Sequence, residues 1–214
     1  AGALQPLRQA VRLDPISPVA HNLLGLTYAF RHKPGLAVDH FERAIALEPD
    51  HGDYYMHKGF ALMQLTDYDG ARDAYEHAIT LGVHNPKPHL DLGAISEKEN
   101  DLVEARMHYE RVLENRPHFA TAHFRLGLIA EKTGDAVVAM ERYAKALKYN
   151  PDLTGAHYRV AQLYFEAGRT TLAEIHVERF HDLKALENTR SLYIFGRRRT
   201  KRATGLPATF KRTE

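Results

Sequence analysis

The sequence predicts an all-α protein, a right-handed α-solenoid built of helical hairpins, on three observations. First, small, aromatic and proline residues return in register at a fixed step, as from Gly25 to Gly59 to Gly93. Second, each period holds two apolar stretches with helical spacing, separated by a turn. Third, no stretch alternates apolar and polar residues as a half-buried strand would. The columns are Gly25, Gly59, Gly93 and Gly127 with Ala161 in fifth place, and Ala37, Ala71, Ala105, Ala139 and Ala173. They continue with Phe41, Tyr75, Tyr109, Tyr143 and Val177, then Ala44, Ala78, Val112 and Ala146. Pro15, Pro49, Pro117 and Pro151 make a last column that only Val83 breaks. A fixed period of about 34 residues marks a helical repeat, whose units bury a core only by stacking.

The first unit shows why. Leu24, Leu26, Tyr28 and Phe30 supply the apolar positions of its first half, and Gly25 is expected to let another backbone approach closely. His32-Lys33-Pro34-Gly35 is read as the break between helices. Ala37, Phe41, Ala44 and Ile45 then fall at i, i+4, i+7 and i+8, one face of a second helix. Pro49 keeps that helix from running on.

The set Leu24-Gly25, Tyr28, Ala37, Phe41, Ala44 and Pro49 resembles the signature of the tetratricopeptide repeat family, over about residues 3–180. The resemblance implies a scaffold whose first helices line a groove that binds partners. One column departs from the family: the large aromatic usual four places into the repeat is His21, Tyr55, His89, His123 and His157 here.

Taken in order, residues 1–17 fit a leading helix, the second half of a repeat without its first. Leu4, Leu7, Ala10 and Leu13 lie on its apolar face. This arrangement is expected of a piece of a longer or processed chain, which Ala1 at the start favours, of a helix that serves as a cap, or of one that a neighbour covers. Five repeats follow at 18–51, 52–85, 86–119, 120–153 and 154–187. Their turns fall near 32–35, 66–69, 100–101, 134–135 and 168–170. Asp67, Asp101 and Asp135 suit helix N-caps, and Asn100 and Gly134 suit left-handed helix ends. Repeat two closes irregularly, with Gly82 as a helix stop and Pro86 opening the next helix. Repeat five loses the pattern after its turn. Its second helix, carrying Val177 and Phe180, is expected to end near Asn188. Residues 189–214 are then an extended basic tail, because Gly196, Gly205 and Pro207 argue against a helix.

The composition, 44% hydrophobic and 26% charged in 214 residues, is that of an ordinary folded domain with a sizeable core. No apolar run has the length of a membrane span. Without cysteine there is neither a disulfide nor a thiolate metal site. The net charge of +2 conceals an asymmetry, since residues 1–196 carry 22 basic and 26 acidic side chains. Beyond Gly196, the bases Arg197, Arg198, Arg199, Lys201, Arg202, Lys211 and Arg212 oppose only Glu214.

Of 14 histidines, His21, His89, His123 and His157 form a ladder. Packed helices lie about 8–10 Å apart, whereas histidine–metal bonds are about 2 Å, so successive rungs cannot share an ion. Each imidazole is expected to fill the gap between the two helices of its own repeat. No metal site and no cofactor is expected. Nucleophile-elbow, phosphate-loop and dinucleotide-binding motifs are missing, and catalysis is not expected.

The candidate partner groove comprises Asn22, Leu26, Phe30, Met56, Phe60, Met63, Leu90, Phe124, Arg125, Leu128, Tyr158 and Arg159. Its first half is apolar and includes two methionines, whose flexible side chains suit varied partners. Some relatives grip a terminal carboxylate here with Lys, Arg and Asn. Leu26, Met56, Phe60 and Leu90 occupy several of those places, leaving only Asn22, Arg125 and Arg159. In the tail, Leu192, Tyr193 and Phe195 are expected to wedge into an apolar seam. Arg197, Arg198, Arg199, Lys201 and Arg202 would face carboxylates or phosphates. The sequence therefore reads as a non-catalytic protein-interaction scaffold, an accessory subunit that binds other protein subunits and no small-molecule substrate. Two alternatives are a binder of nucleic acid or an anionic surface through the tail, and a regulatory repeat domain cut from a larger enzyme.

Overall fold

The computed structural model describes residues 3–203, with side chains through Thr189. Among the described residues there are eleven helices and no strand. The leading helix α1 is Leu4–Leu13. Five hairpins follow: α2 (Pro18–Ala29) with α3 (Pro34–Leu47), and α4 (Gly52–Gln64) with α5 (Tyr68–Thr80). The others are α6 (Lys87–Lys98) with α7 (Leu102–Asn115), α8 (Ala120–Lys132) with α9 (Ala136–Tyr149), and α10 (Thr154–Glu166) with α11 (Thr170–Ala203). The architecture is an all-α solenoid of helical hairpins. It falls into two compact units that divide between Ala122 and His123.

Every hairpin turns on one left-handed residue, and these residues keep the step of the repeat: His32, Thr66, Asn100, Gly134 and Gly168, with φ of 56°, 61°, 63°, 82° and 70°. The next residue in each case donates its N–H back into the ending helix: Lys33 to Tyr28, Asp67 to Leu62, Asp101 to Ser96, Asp135 to Ala130 and Arg169 to Tyr164. That bond satisfies a carbonyl that the ending helix would leave bare. Asp67, Asp101 and Asp135 then cap the second helices, accepting from the N–H groups of Gly70, of Val103 and Glu104, and of Val138. In the first hairpin Pro34 and Gly35 belong to α3 instead of breaking the chain. Proline at the first helical position has no N–H to leave unpaired, so His32 alone makes that turn.

The glycine column works differently from the close backbone approach expected of it. A Cβ at Gly25, Gly59 or Gly93 would lie 2.6–2.7 Å from the ring of Phe41, Tyr75 or Tyr109, and Gly127 stands in the same relation to Tyr143. Each glycine makes room for the aromatic ring of its own hairpin's second helix. Those rings are fully buried, each contributing about 1.5–3 kcal/mol through burial. In the fifth hairpin both columns change together, to Ala161 and Val177.

The cores lie between hairpins as well as within them. In the first unit Leu24, Tyr28, Ala37 and Phe41 cluster with Ala61 of the next hairpin, and Leu4, Leu7 and Val11 of α1 pack on the same cluster. Met56, Leu62 and Tyr75 cluster with Leu92 and Ile95 of the third hairpin. In the second unit Ala130, Ala139 and Tyr143 cluster with Val160 and Leu163. A single hairpin would expose these faces.

Helix α11 overturns the boundary expected near Asn188, because it runs unbroken to Ala203. Between Thr170 and Ala203 the sequence has no proline, and Gly196 is its only glycine. One interior glycine costs about 1 kcal/mol relative to alanine, too little to stop a helix otherwise rich in Leu, Arg, Lys and Glu. Residues 189–203 are thus helical where an extended tail was expected. Gly205, Pro207, Lys211 and Arg212 lie outside the described residues, as do the side chains of Leu192, Tyr193, Phe195, Arg197, Arg198, Arg199, Lys201 and Arg202.

Candidate partner-binding face

The first helices of the hairpins carry the candidate groove. In the first unit Phe30, at the C-terminal end of α2, is 73% exposed, and its ring centroid lies 6.3 Å from that of Phe60 on α4. Phe60 and Leu26 are half-buried against the first core cluster, and Met63 against the second. The Lys87 ammonium sits 4.8 Å over the Phe60 ring and bonds the Asp91 carboxylate at 2.7 Å. Leu90 is half-buried. Met56 is only 6% exposed and belongs to the core with Tyr75 and Leu92, so it presents little to a partner. Asn22 is committed elsewhere: its amide oxygen accepts from His57 Nδ1 at 2.8 Å, tying α2 to α4. Burial holds His57 below the ordinary histidine range.

The second unit is more polar. The Phe124 ring covers Gly155 and tilts against Tyr143 at 5.7 Å. Leu128 packs on the core cluster beside it, and Arg125 is half-buried. Arg159 bonds Glu131 at 3.1 Å and Gln162 at 3.2 Å, and its guanidinium lies over Tyr158 at 5.7 Å. Tyr158 is 45% exposed and stands 5.5 Å from Phe180. Glu131 also accepts the Tyr143 hydroxyl at 2.6 Å, and burial followed by this carboxylate pushes the phenol well above its usual range. Asn22 in the first unit and Arg159 in the second are thus each already bonded within their own unit.

A carboxylate on the first helices meets a column tyrosine again in the first unit. Tyr109 donates to Glu97 at 3.1 Å, and Tyr75 donates to Asp91. Burial and the Asp91 charge drive the Tyr75 phenol far upward. Glu104 is held low by the Ser96 hydroxyl and by Arg72, with Glu104 and Glu99 both bonding that guanidinium.

The histidine ladder does fill gaps within hairpins, but through partners that the ladder itself does not reveal. His21 meets His40, His89 meets His108 and His157 meets His176, with Nδ1–Nδ1 distances of 3.1, 3.2 and 2.9 Å. The legible signal was a second histidine at the same sequence separation from the first in each pair, recurring in alternate repeats. Among the described residues no three His, Cys, Asp or Glu side chains converge on a metal-sized site, and no helix is long and apolar enough to cross a membrane.

The sequence profile of the tetratricopeptide repeat matches residues 22–86 and 97–152. The chain belongs to the tetratricopeptide repeat family. Proteins of this family bind other proteins and peptides and are generally non-catalytic, and the chain is a protein-interaction repeat scaffold. No curated protein matches it in sequence. Among solved structures, PilF of Pseudomonas aeruginosa is 18% identical with a TM-score of 0.73, over 84% of this chain and 86% of that one. MamA from Desulfovibrio magneticus RS-1 is 19% identical with a TM-score of 0.68, over 78% of this chain and 95% of that one. YrrB, described as a TPR protein with an unusual peptide-binding site, is 17% identical with a TM-score of 0.65, over 84% of this chain and 92% of that one. At these identities the likeness is one of fold.

Proposed function

We propose that this tetratricopeptide repeat protein is an accessory subunit that holds an apolar segment of a protein partner on the face formed by α2 and α4. Phe60 and Met63 are the anchors, and Leu26 and Phe30 are the rim. The supporting observation is Phe30, a phenylalanine 73% exposed beside a second aromatic ring. Exposed phenylalanine contributes nothing to the core, whereas a partner covering it gains the burial. YrrB, of the same fold, is described as having a peptide-binding site, which is consistent with peptide capture by such a face. Leu90, Phe124, Leu128 and Tyr158 give the other first helices apolar positions of their own.

Phe30→Ala and the Phe60→Ala/Met63→Ala pair test the reading against partners recovered by affinity capture with the full chain. Truncating an anchor costs about 2 kcal/mol or more of binding, a loss of roughly 30-fold. Phe30→Ala should weaken binding while leaving the melting temperature unchanged. Partners held undiminished by both variants would put the binding face elsewhere.

A second attachment is the basic run Arg197–Arg199, Lys201 and Arg202, supported by the continuation of α11 through it. A helix concentrates these charges on one rod, suited to an anionic surface. Replacing Arg197, Arg198 and Arg199 by Ala should slow association and flatten its salt dependence. An unchanged association rate at low salt would remove this role.

A further inference from the structure

Three hairpins of five carry a histidine pair, and they alternate with two that do not. At the same positions the second hairpin has Tyr55 and Ala74, and the fourth has His123 and Arg142. The geometry fixes where the protons of two pairs lie. His21 Nε2 is 3.1 Å from the Pro15 carbonyl, and His157 Nε2 is 2.9 Å from the Pro151 carbonyl. A carbonyl only accepts, so these nitrogens carry hydrogen. In the neutral rings Nδ1 of His21 and of His157 is then a bare acceptor. The facing Nδ1 of His40 and of His176 must be the donor. Each pair closes its hairpin with one N–H···N bond.

A first added proton is tolerated, because it can sit on the outer Nε2 of His40 or His176 and leave that bond in place. A second cannot be. Both facing nitrogens would then carry hydrogen, and two cationic rings would stand 5.1–5.5 Å apart between their centroids. We propose that the pairs His21–His40, His89–His108 and His157–His176 are acid-released latches that hold the first, third and fifth hairpins closed and loosen them on double protonation.

The surroundings tune each latch. Around His40 stand Arg8 of α1, the Tyr28 ring of α2 stacked at 5.5 Å, and Asp39 of α3. Around the third-hairpin pair stand Arg72 of α5 and, on α7, Glu104, Arg111 and Glu114, with Glu104 4.0 Å from His108 Nε2. Beside His176 is the Tyr164 ring of α10 at 5.8 Å. His40, His108 and His176 are each held below the ordinary histidine range, first by burial and then by the partner imidazole; His89 is lowered by burial and then by Arg111. The sign follows from those directions. The unfolded chain, with histidines titrating at about 6.5, binds protons before the folded one. Hairpin stability is therefore full above about pH 6.5 and is lost as pH falls through that value toward the lowered folded ones.

Two measurements on the full chain test this. In the first, native-state amide exchange at pH 7.5 and 5.5 is corrected for intrinsic rates. It should show the first, third and fifth hairpins opening at least about tenfold more at the lower pH, the equivalent of one linked proton over one unit, with the fourth changing less; the second carries His57, itself held low by burial, and is not the reference. His21→Tyr with His40→Ala, which copies the second hairpin, should abolish the acid response of the first hairpin alone. A uniform response, or one that survives the exchange of residues, overturns the proposal. In the second, ring 15N spectra of the wild type need no variant to fold. They should show His40 and His176 as Nδ1–H tautomers at pH 8 and two-step proton uptake by each pair. Single-step titration of both rings near pH 6.5 overturns it equally.

Discussion

Replacing Gly93 by alanine tests the pairing of the glycine and aromatic columns. A Cβ at Gly93 would lie 2.7 Å from Tyr109 Cε1 and 2.8 Å from Cζ, well inside van der Waals contact. The ring has little freedom to yield, since Tyr109 is fully buried and its hydroxyl bonds Glu97. Overpacking of this kind costs about 1–3 kcal/mol. Alanine regains about 1 kcal/mol of helix propensity over glycine, so the net change is a loss of about 0–2 kcal/mol. Taken alone that range includes no effect, which is why the double-mutant cycle decides. Tyr109→Val deletes most of the ring and should cost about 2–4 kcal/mol by analogy with large-to-small core changes. Combined with Gly93→Ala it recreates the Ala161/Val177 combination of the fifth hairpin. The new methyl then meets no ring, so the clash vanishes and only the propensity gain remains. The coupling should be about 1–3 kcal/mol in favour of the double variant. Urea unfolding followed by circular dichroism, with amide exchange resolved by hairpin because repeat arrays open locally, measures it. Coupling within about 0.5 kcal/mol of zero, the scatter of independent sites, would falsify the pairing.

Two further outcomes follow from the turns. Asp101 accepts from two N–H groups at the start of α7, so Asp101→Ala should cost about 1 kcal/mol, read as a lower urea midpoint and faster exchange in the third hairpin. Thr66 is a β-branched residue at φ 61°, a conformation that costs non-glycine residues about 1–2 kcal/mol. Thr66→Gly relieves that strain but adds freedom to the unfolded chain, so a net gain of about 0.5–1 kcal/mol is expected. A lower melting temperature for Thr66→Gly would mean that its hydroxyl, bonded to the Leu65 carbonyl at 2.6 Å, outweighs the strain.

The sequence by itself determined the hairpins. A fixed period with Ala37, Phe41 and Ala44 on one helical face leaves little choice, because side-chain spacing along a helix is set by its geometry. Asp67, Asp101 and Asp135 were legible as caps for a related reason: their oxygens act on N–H groups in the next helical turn, inside the window that a local reading spans. The limit of α11 was missed because a helix end needs a positive stop signal. Between Asn188 and Ala203 the chain offers only Gly196, whose cost is small.

Tertiary structure decided what the columns do to one another. Gly93 and Tyr109 stand on different helices, and only the folded hairpin shows that the first is small because the second is large. Met56 and Phe30 both looked like groove residues from their place on a first helix. Packing of the next hairpin buries Met56 against Leu92 and Ala29 against Ala61, yet leaves Phe30, the residue next to Ala29, in solvent. The histidine pairs belong here as well. His21 and His40 are ordinary among 14 histidines, and their meaning lies in a 3.1 Å approach of two nitrogens. Local spacing fixes which helices form; distances between side chains far apart in the chain exist only once those helices pack.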